Sequence, residues 1–210
     1  MTRTTEATGR RQLLIATGSP HKFEELRAVI ELPKTDLLSL ADLDLVDTAV
    51  EDGPSFEANA RLKALHYGAR ASMPTLADDS GLEVDALGGR PGVHTRRYAG
   101  PNATDADNNA RLLAELAGVP AEQRTARYRC VLVLVEGGVE TALTRGTFEG
   151  RIALAPRGSG GFGYDPIFEP ATEPVGGRTV GELSPDEKNA VSHRSQAARA
   201  MGELLRGRGY

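Results

Sequence analysis

Apolar and polar positions alternate in short, interpretable blocks along the chain. Gln12 to Thr17 (QLLIAT) is an apolar run of strand length, and in the GSPHKFEELRAVI that follows, Phe23, Leu26 and Ile30 recur at helical spacing with Glu24 and Glu25 in the first turn. The pattern predicts strand, turn, helix. Thr35 to Leu40 reads as a second strand, and Ser55 to Ala71 as a longer helix with Phe56, Ala60, Ala64 and Tyr67 on one side. Met73 to Ala77 predicts a third strand that ends at Asp78 and Asp79, with Leu82 to Leu87 continuing after a glycine. A Gly- and Pro-rich loop (GGRPGVHTRRYAGPN) then leads to a helix capped near Thr104. Arg127 to Val135 and Val139 to Phe148 are β-rich and separated by Glu136, Gly137 and Gly138, which predicts an antiparallel hairpin. Ser184, Pro185 and Glu187 form a capping box at the start of one final helix with Ala197, Met201, Leu204 and Leu205 as its apolar stripe. The fold class expected is α/β, with a mixed central sheet flanked by helices and two lobes around a central cleft.

Composition narrows the picture. The 210 residues suffice for one domain, here 12–210, and the polar stretch 1–11 predicts a disordered leader. With 29 acidic against 25 basic side chains the net charge is -4, which excludes a broadly basic nucleic-acid-binding face. No apolar run approaches the roughly 20 residues a membrane span needs. Cys130, the single cysteine, lies in an apolar run (CVLVLV) and reads as a buried thiol, in keeping with a cytoplasmic protein.

Five clusters carry candidate chemistry. In the first strand-to-helix turn, Ser19 can cap, Pro20 takes the first helical position, and Lys22 follows, so hydroxyls, free N–H groups and an ammonium together suit a phosphate; read alone, the turn is an ordinary capped helix. Asp78 and Asp79 in LADDSGL are oxygen donors of the kind Mg²⁺ accepts alongside phosphates, with Glu51 a third carboxylate. Ser55, Asn59 and Lys63 share one helical face at four-residue intervals. The segment GSGGFGYDPIF (158 to 168) contains GxGxxG, but Tyr164, Asp165 and Pro166 stand where a dinucleotide-binding helix would begin; a flexible glycine loop presenting Phe162 for stacking and Asp165 as an acceptor fits better. Lys188, Ser192, His193 and Arg194 gather donors around the start of the last helix, although a His-Arg pair there is usually solvent-facing.

Taken together, TGSPHK, FEANARLKA, ADDSGLEVDALGGRPGV, GGFGYDPIF and LSPDEKNAVSHRSQA resemble, in order and approximate spacing, the motifs of the inosine triphosphate pyrophosphatase family. The resemblance implies a homodimer that uses Mg²⁺ to hydrolyse nonstandard purine nucleoside triphosphates to monophosphate and pyrophosphate. By motif, Thr17, Gly18, Ser19, Pro20, His21, Lys22 and Lys63 would bind the triphosphate, Glu51 and Asp79 would hold Mg²⁺, and Asp79, with Asp78 beside it, would accept the proton of the attacking water. Ser80 would touch the substrate, and Phe162, Gly163, Tyr164, Asp165, Lys188, His193 and Arg194 would form the base pocket. The family usually has asparagine where this chain has Ser19, which implies a retuned phosphate contact. Two other activities share these residues: a pyrophosphatase for modified pyrimidines, dTTP or UTP, and a nucleotide-binding module without turnover.

Overall fold

In a computed structural model that describes residues 9–210, a single six-stranded sheet runs in the order β2-β1-β3-β4-β5-β6. Its strands are β1 (Arg11–Ala16), β2 (Thr35–Ser39), β3 (Thr75–Val84), β4 (Thr125–Glu136), β5 (Val139–Ile152) and β6 (Phe168–Pro170). The pairs β1/β2 and β1/β3 are parallel; those from β3 to β6 are antiparallel. The helices are α1 (Pro20–Val29), α2 (Phe56–Ala71), α3 (Asp105–Glu115), α4 (Pro185–Val191) and α5 (His193–Gly207). The α/β class and the mixed sheet are as the pattern predicts.

Both faces of the sheet are buried, which is why its central strands read as continuous apolar runs and not as alternation. Leu13, Ile15, Leu76, Cys130, Leu132 and Leu134 pack against α1 and α5 on one face. Leu14, Ala16, Ala77, Val131, Val133 and Val135 meet the stripe Phe56, Ala60, Ala64 and Tyr67 of α2 on the other. A third cluster lies at the far end of β3, β4 and β5, where Leu82, Tyr128 and Phe148 pack with Leu112 of α3 and with Tyr164 and Phe168. The long strands thus carry two core regions, and the candidate site lies where they meet. Burial pushes the Cys130 thiol up to about 12, so it is an inert core group.

Three expectations are corrected. The stretch through Asp78 and Asp79 is not a turn; β3 runs unbroken, with Asp78 paired to Leu132, Asp79 to Val131 and Gly81 to Arg129. A side chain at 81 would come within 2.7 Å of Gly92 O and Phe56 Cε1, so glycine admits the 3-10 segment Gly92–Arg97 against the strand instead of bending it. The last helix is two, because Ser192 ends α4 and caps α5 through Ser195 N–H. Leu204 is exposed, while Ala197, Met201 and Leu205 are buried. Most of the expected leader lies outside the described residues, but Arg10 pairs with Asp36 at 2.6 Å and Arg11 begins β1.

Candidate active site

Alternation along β3 sends its two aspartates to opposite faces of the sheet. Asp78 points toward α1 and α5, where Lys22 Nζ lies 2.9 Å from Oδ2 and Arg194 Nε 3.9 Å. Asp79 points toward α2, where Lys63 Nζ donates to Oδ1 at 3.1 Å and Asn59 Nδ2 to Oδ2 at 3.3 Å. The same Lys63 ammonium meets Glu51 Oε2 at 3.0 Å, so it bridges two carboxylates from different segments. Adjacency in sequence therefore does not make a carboxylate dyad; it makes two differently charged environments.

Those environments separate the pair. Burial raises the Asp78 pKa, but Lys22, Lys63 and Arg194 outweigh it and hold the carboxyl well below its usual range. Burial also raises Asp79, and there the facing charges of Asp78 and Glu51 offset the ammoniums, leaving it above the usual value. Lys63 stays firmly cationic, since the three carboxylates around it overcome its own desolvation. Asp79 therefore holds a proton more readily than Asp78, which is a fixed anion paired with Lys22.

Ser19 caps α1 as its position predicts, accepting from Lys22 N–H, and Thr17 Oγ1 accepts from Ser19 N–H. Pro20 and His21 open the helix. Phe162 meets this end of the molecule from the other core region: its ring stacks on His21 with centroids 5.4 Å apart, and Lys188 Nζ lies 4.5 Å from the ring centre. A cavity of about 510 Å³ between α3 and the glycine loop, lined by Asp105, Asn109 and Phe162 among others, runs beside the same ring. The loop is packed and not flexible, because Gly158, at φ +74°, lies directly against the Gly181 backbone where a Cβ has no room.

Asp165 does not present a free acceptor. Tyr128 Oη donates to its Oδ1 at 3.2 Å, and Phe162 N–H and Lys188 Nζ donate to Oδ2 at 2.9 and 2.7 Å. Its role is to hold the aromatic loop and the lysine in place. Tyr164 is likewise a core residue, 2% exposed, with its hydroxyl on Thr95 O. Gly163 is tied through its backbone to Asp105 and Asn109 of α3.

His193 and Arg194 are buried and not solvent-facing. Burial and the neighbouring cations Arg194 and Lys188 push His193 well below its usual value, so it is a neutral imidazole, stacked on Tyr128 at 4.7 Å. Arg194 donates to Ser80 Oγ at 2.9 Å and to Glu25. Among the described residues, Arg194 Nε, His193 Nδ1 and Asp78 Oδ1 have no hydrogen-bond partner although all are buried. Three unpartnered buried polar atoms on β3 and α5 are what a polar ligand would satisfy.

Glu25 and Tyr128 are the residues that sequence reasoning missed. Glu25 pairs with both Lys188, at 2.7 Å, and Arg194, and so ties α1 to α4 and α5. The available signal was its spacing, since Lys22 and Glu25 are three apart on one helical face. Burial raises its pKa, but Arg194 and Lys188 more than offset this and leave it lowered from 4.5. A carboxyl lowered in the fold stabilises above its unfolded pKa and loses that contribution as pH falls. Glu25→Gln is therefore expected to melt below wild type at pH 7, with the gap closing below about pH 4.5, as read by thermal denaturation across pH. A gap that does not change with pH contradicts the pairing.

The Ham1 family model matches residues 13–204, and the chain belongs to that family. It is 48% identical over 193 residues to a dITP/XTP pyrophosphatase of Geobacillus kaustophilus, covering 92% of this chain and 93% of that protein. It is 47% identical to a dITP/XTP pyrophosphatase of Methylococcus capsulatus, covering 94% and 97%. Among solved structures, a Ham1 protein from Coxiella burnetii superposes with a TM-score of 0.84 at 36% identity, covering 94% of this chain and 99% of that one. A dITP/XTP pyrophosphatase from Mycobacterium abscessus gives 0.73 at 41%, covering 92% and 98%.

Proposed function

We propose that this chain hydrolyses nonstandard purine nucleoside triphosphates, ITP, XTP and their deoxy forms, to the monophosphate and pyrophosphate, removing damaged purines from the nucleotide pool. The observation that carries the reading is that one stretch of β3, Asp78 to Ser80, is met both by a carboxylate and lysine cluster (Lys63 and Glu51 at Asp79, Lys22 at Asp78) and by Arg194 of an aromatic and cation cluster with Phe162 and Lys188. The related dITP/XTP pyrophosphatases fit both halves by their activity.

Pyrophosphate release requires attack at the α-phosphorus, with charge growing on the leaving oxygen. The turn Thr17, Gly18, Ser19, Pro20, His21, Lys22 and the Lys63 ammonium would receive the phosphates, and Asp79 would orient the water and take its proton. Glu51 and Asp79 fit Mg²⁺: both are hard oxygen donors, and the Lys63 ammonium, 3.0 and 3.1 Å from them, marks a point where their fields favour a cation. Such an ion would be held by two carboxylates together with the substrate's own phosphates. When bound, Mg²⁺ would neutralise phosphate charge as a Lewis acid.

On the base side, Phe162 would stack on the purine, and Arg194 would donate to the 6-keto oxygen that hypoxanthine and xanthine carry and adenine lacks. Setting a buried donor against adenine's amino group costs about 1–3 kcal/mol, roughly tenfold to hundredfold in selectivity. Guanine shares the keto group, so the distinction from GTP rests on what faces its 2-amino group, where the nearby carboxylate Asp165 already accepts from Tyr128, Lys188 and Phe162. Ser80, held by Arg194, would touch the substrate between the two clusters. A homodimer and a cytoplasmic location complete the proposal; size-exclusion chromatography with light scattering tests the first. No helix among the described residues is long and apolar enough to cross a membrane.

The function is tested by incubating the protein with Mg²⁺ and, separately, dITP, XTP, dGTP, ATP and dTTP, and measuring pyrophosphate and orthophosphate. Pyrophosphate from dITP and XTP, at least about tenfold faster than from the other three, is the expected result. Preference for dTTP would move the assignment to the pyrimidine activity, and binding without turnover to a nucleotide sensor.

A further inference from the structure

One buried amide beside Asp79 has both its donor and its acceptor engaged within the protein. Asn59 of α2 is 2% exposed, and it uses both ends of its side chain: Nδ2 donates to Asp79 Oδ2 at 3.3 Å, and Oδ1 accepts from Gly53 N–H at 2.8 Å. Gly53 lies two residues after Glu51. A Cβ at position 53 would stand 2.7 Å from Ala58 Cβ and 2.8 Å from Asn59 Oδ1, so glycine is what lets this segment descend onto the amide.

The stretch 45–54 that carries Glu51 contains no helix or strand. Upstream of Glu51 it is pinned by Tyr67, whose hydroxyl donates to Asp47 O at 2.9 Å and accepts from Ala49 N–H at 3.4 Å, and by His66 at 2.7 Å from Asp47. Downstream it is pinned by Asn59. Of these anchors, Asn59 alone also touches Asp79. One helical turn on, Lys63 repeats the bridge directly, with Asp79 Oδ1 and Glu51 Oε2 as its partners. The two oxygens of Asp79 are thus divided between an ammonium and an amide from one helical face.

We propose that Asn59 is the positioning residue for the metal-binding carboxylate pair, setting the orientation of Asp79 through its donor and the height of the Glu51 segment through its acceptor. The proposal rests on the reading of Glu51 and Asp79 as ligands of a divalent cation. The chemistry suits the residue: the position needs one donor toward a carboxylate and one acceptor toward a backbone N–H, both neutral, and a carboxamide carries them on two separate atoms of one short side chain, which a single hydroxyl oxygen does not. A carboxylate there would keep the Gly53 contact but set a like charge against Asp79. Supporting partners of metal ligands typically change metal affinity by about 10- to 100-fold.

The test uses Mn²⁺ as the probe, titrated by electron paramagnetic resonance into the full chain saturated with a non-cleavable α,β-imido analogue of dITP, so that no turnover enters the readout. Asn59→Ala is expected to raise the Mn²⁺ Kd about 10- to 100-fold, and Asn59→Ser, a milder change whose single short hydroxyl cannot span both partners, by a similar factor. Binding of the analogue in EDTA, measured by calorimetry, is expected to change less than about threefold, which a general loosening of the fold would not permit. An unchanged Mn²⁺ Kd in both variants, while Asp79→Asn loses the metal, overturns the role of Asn59 and leaves the ligand assignment standing. Unchanged Mn²⁺ binding in Asp79→Asn itself overturns both.

Discussion

Replacing Asp79 with asparagine is expected to cut dITP turnover by about 10²–10⁴-fold while leaving the metal-free protein at least as stable as wild type. The loss of rate follows from removing a group that would both hold the cation and accept the water's proton. The stability follows from the sign of its pKa. Burial and the nearby carboxylates Asp78 and Glu51 raise Asp79 above its usual value, so its ionised form is disfavoured by folding at pH 7, and a neutral isostere relieves that cost. Asn also keeps an oxygen for Lys63, which retains Glu51 as a second partner. Asp78→Asn is the opposite case: its pKa is lowered, so its charge stabilises the fold at neutral pH, and removing it frees Lys22 and leaves Arg194 without that field. Melting temperatures in EDTA and kcat with dITP separate the two aspartates. Retention of most of the wild-type rate in Asp79→Asn removes it from the catalytic assignment.

Arg194→Ala is expected to have the second large effect, and to have it twice over. Arg194 is 2% exposed and paired with Glu25, and breaking a buried ion pair from one side typically costs about 3–5 kcal/mol because the remaining charge is stranded. Lys188, which also holds Glu25, softens but does not remove this cost. Combining Arg194→Ala with Glu25→Gln is therefore expected to recover part of the lost stability, which chemical denaturation would read. In that folded double variant the ratio of kcat/KM for ITP over ATP is expected to fall by about tenfold to hundredfold, the value of one misplaced buried donor. If both rates fall while the ratio holds, Arg194 serves phosphate binding or structure and not the base.

The framework of this fold was legible because its signals are local. The stripe of α2, the caps at Ser19, Thr104 and Ser184, and the β4/β5 hairpin all come from spacing and capping chemistry, and the structure carries them. The break at Asp78 was misread for a physical reason. Asp-Ser-Gly is turn composition, and only pairing with β4, closed over by the segment 92–97, keeps the strand straight. Glu25 was hidden because a glutamate near a helix start reads as a partner of the helix dipole; α1 has no acidic residue in its first turn, and the real partners of Glu25 lie more than 160 residues on in the chain. The spacing of Ser55, Asn59 and Lys63 did place Asn59 on the functional face, with no indication of what the amide would touch. The base-side cluster was legible only through resemblance, since nothing in the pattern brings Phe162 to His21 or buries His193 against Tyr128.

Attack by water at the α-phosphorus leaves an isotopic signature in the products. Hydrolysis of dITP in ¹⁸O-water, followed by mass spectrometry of both products, is expected to put one labelled oxygen in the nucleoside monophosphate and none in pyrophosphate. Label in pyrophosphate, or release of labelled orthophosphate, would place the attack at the β- or γ-phosphorus and contradict the arrangement of Asp79, Lys63 and Lys22 proposed for this cleft.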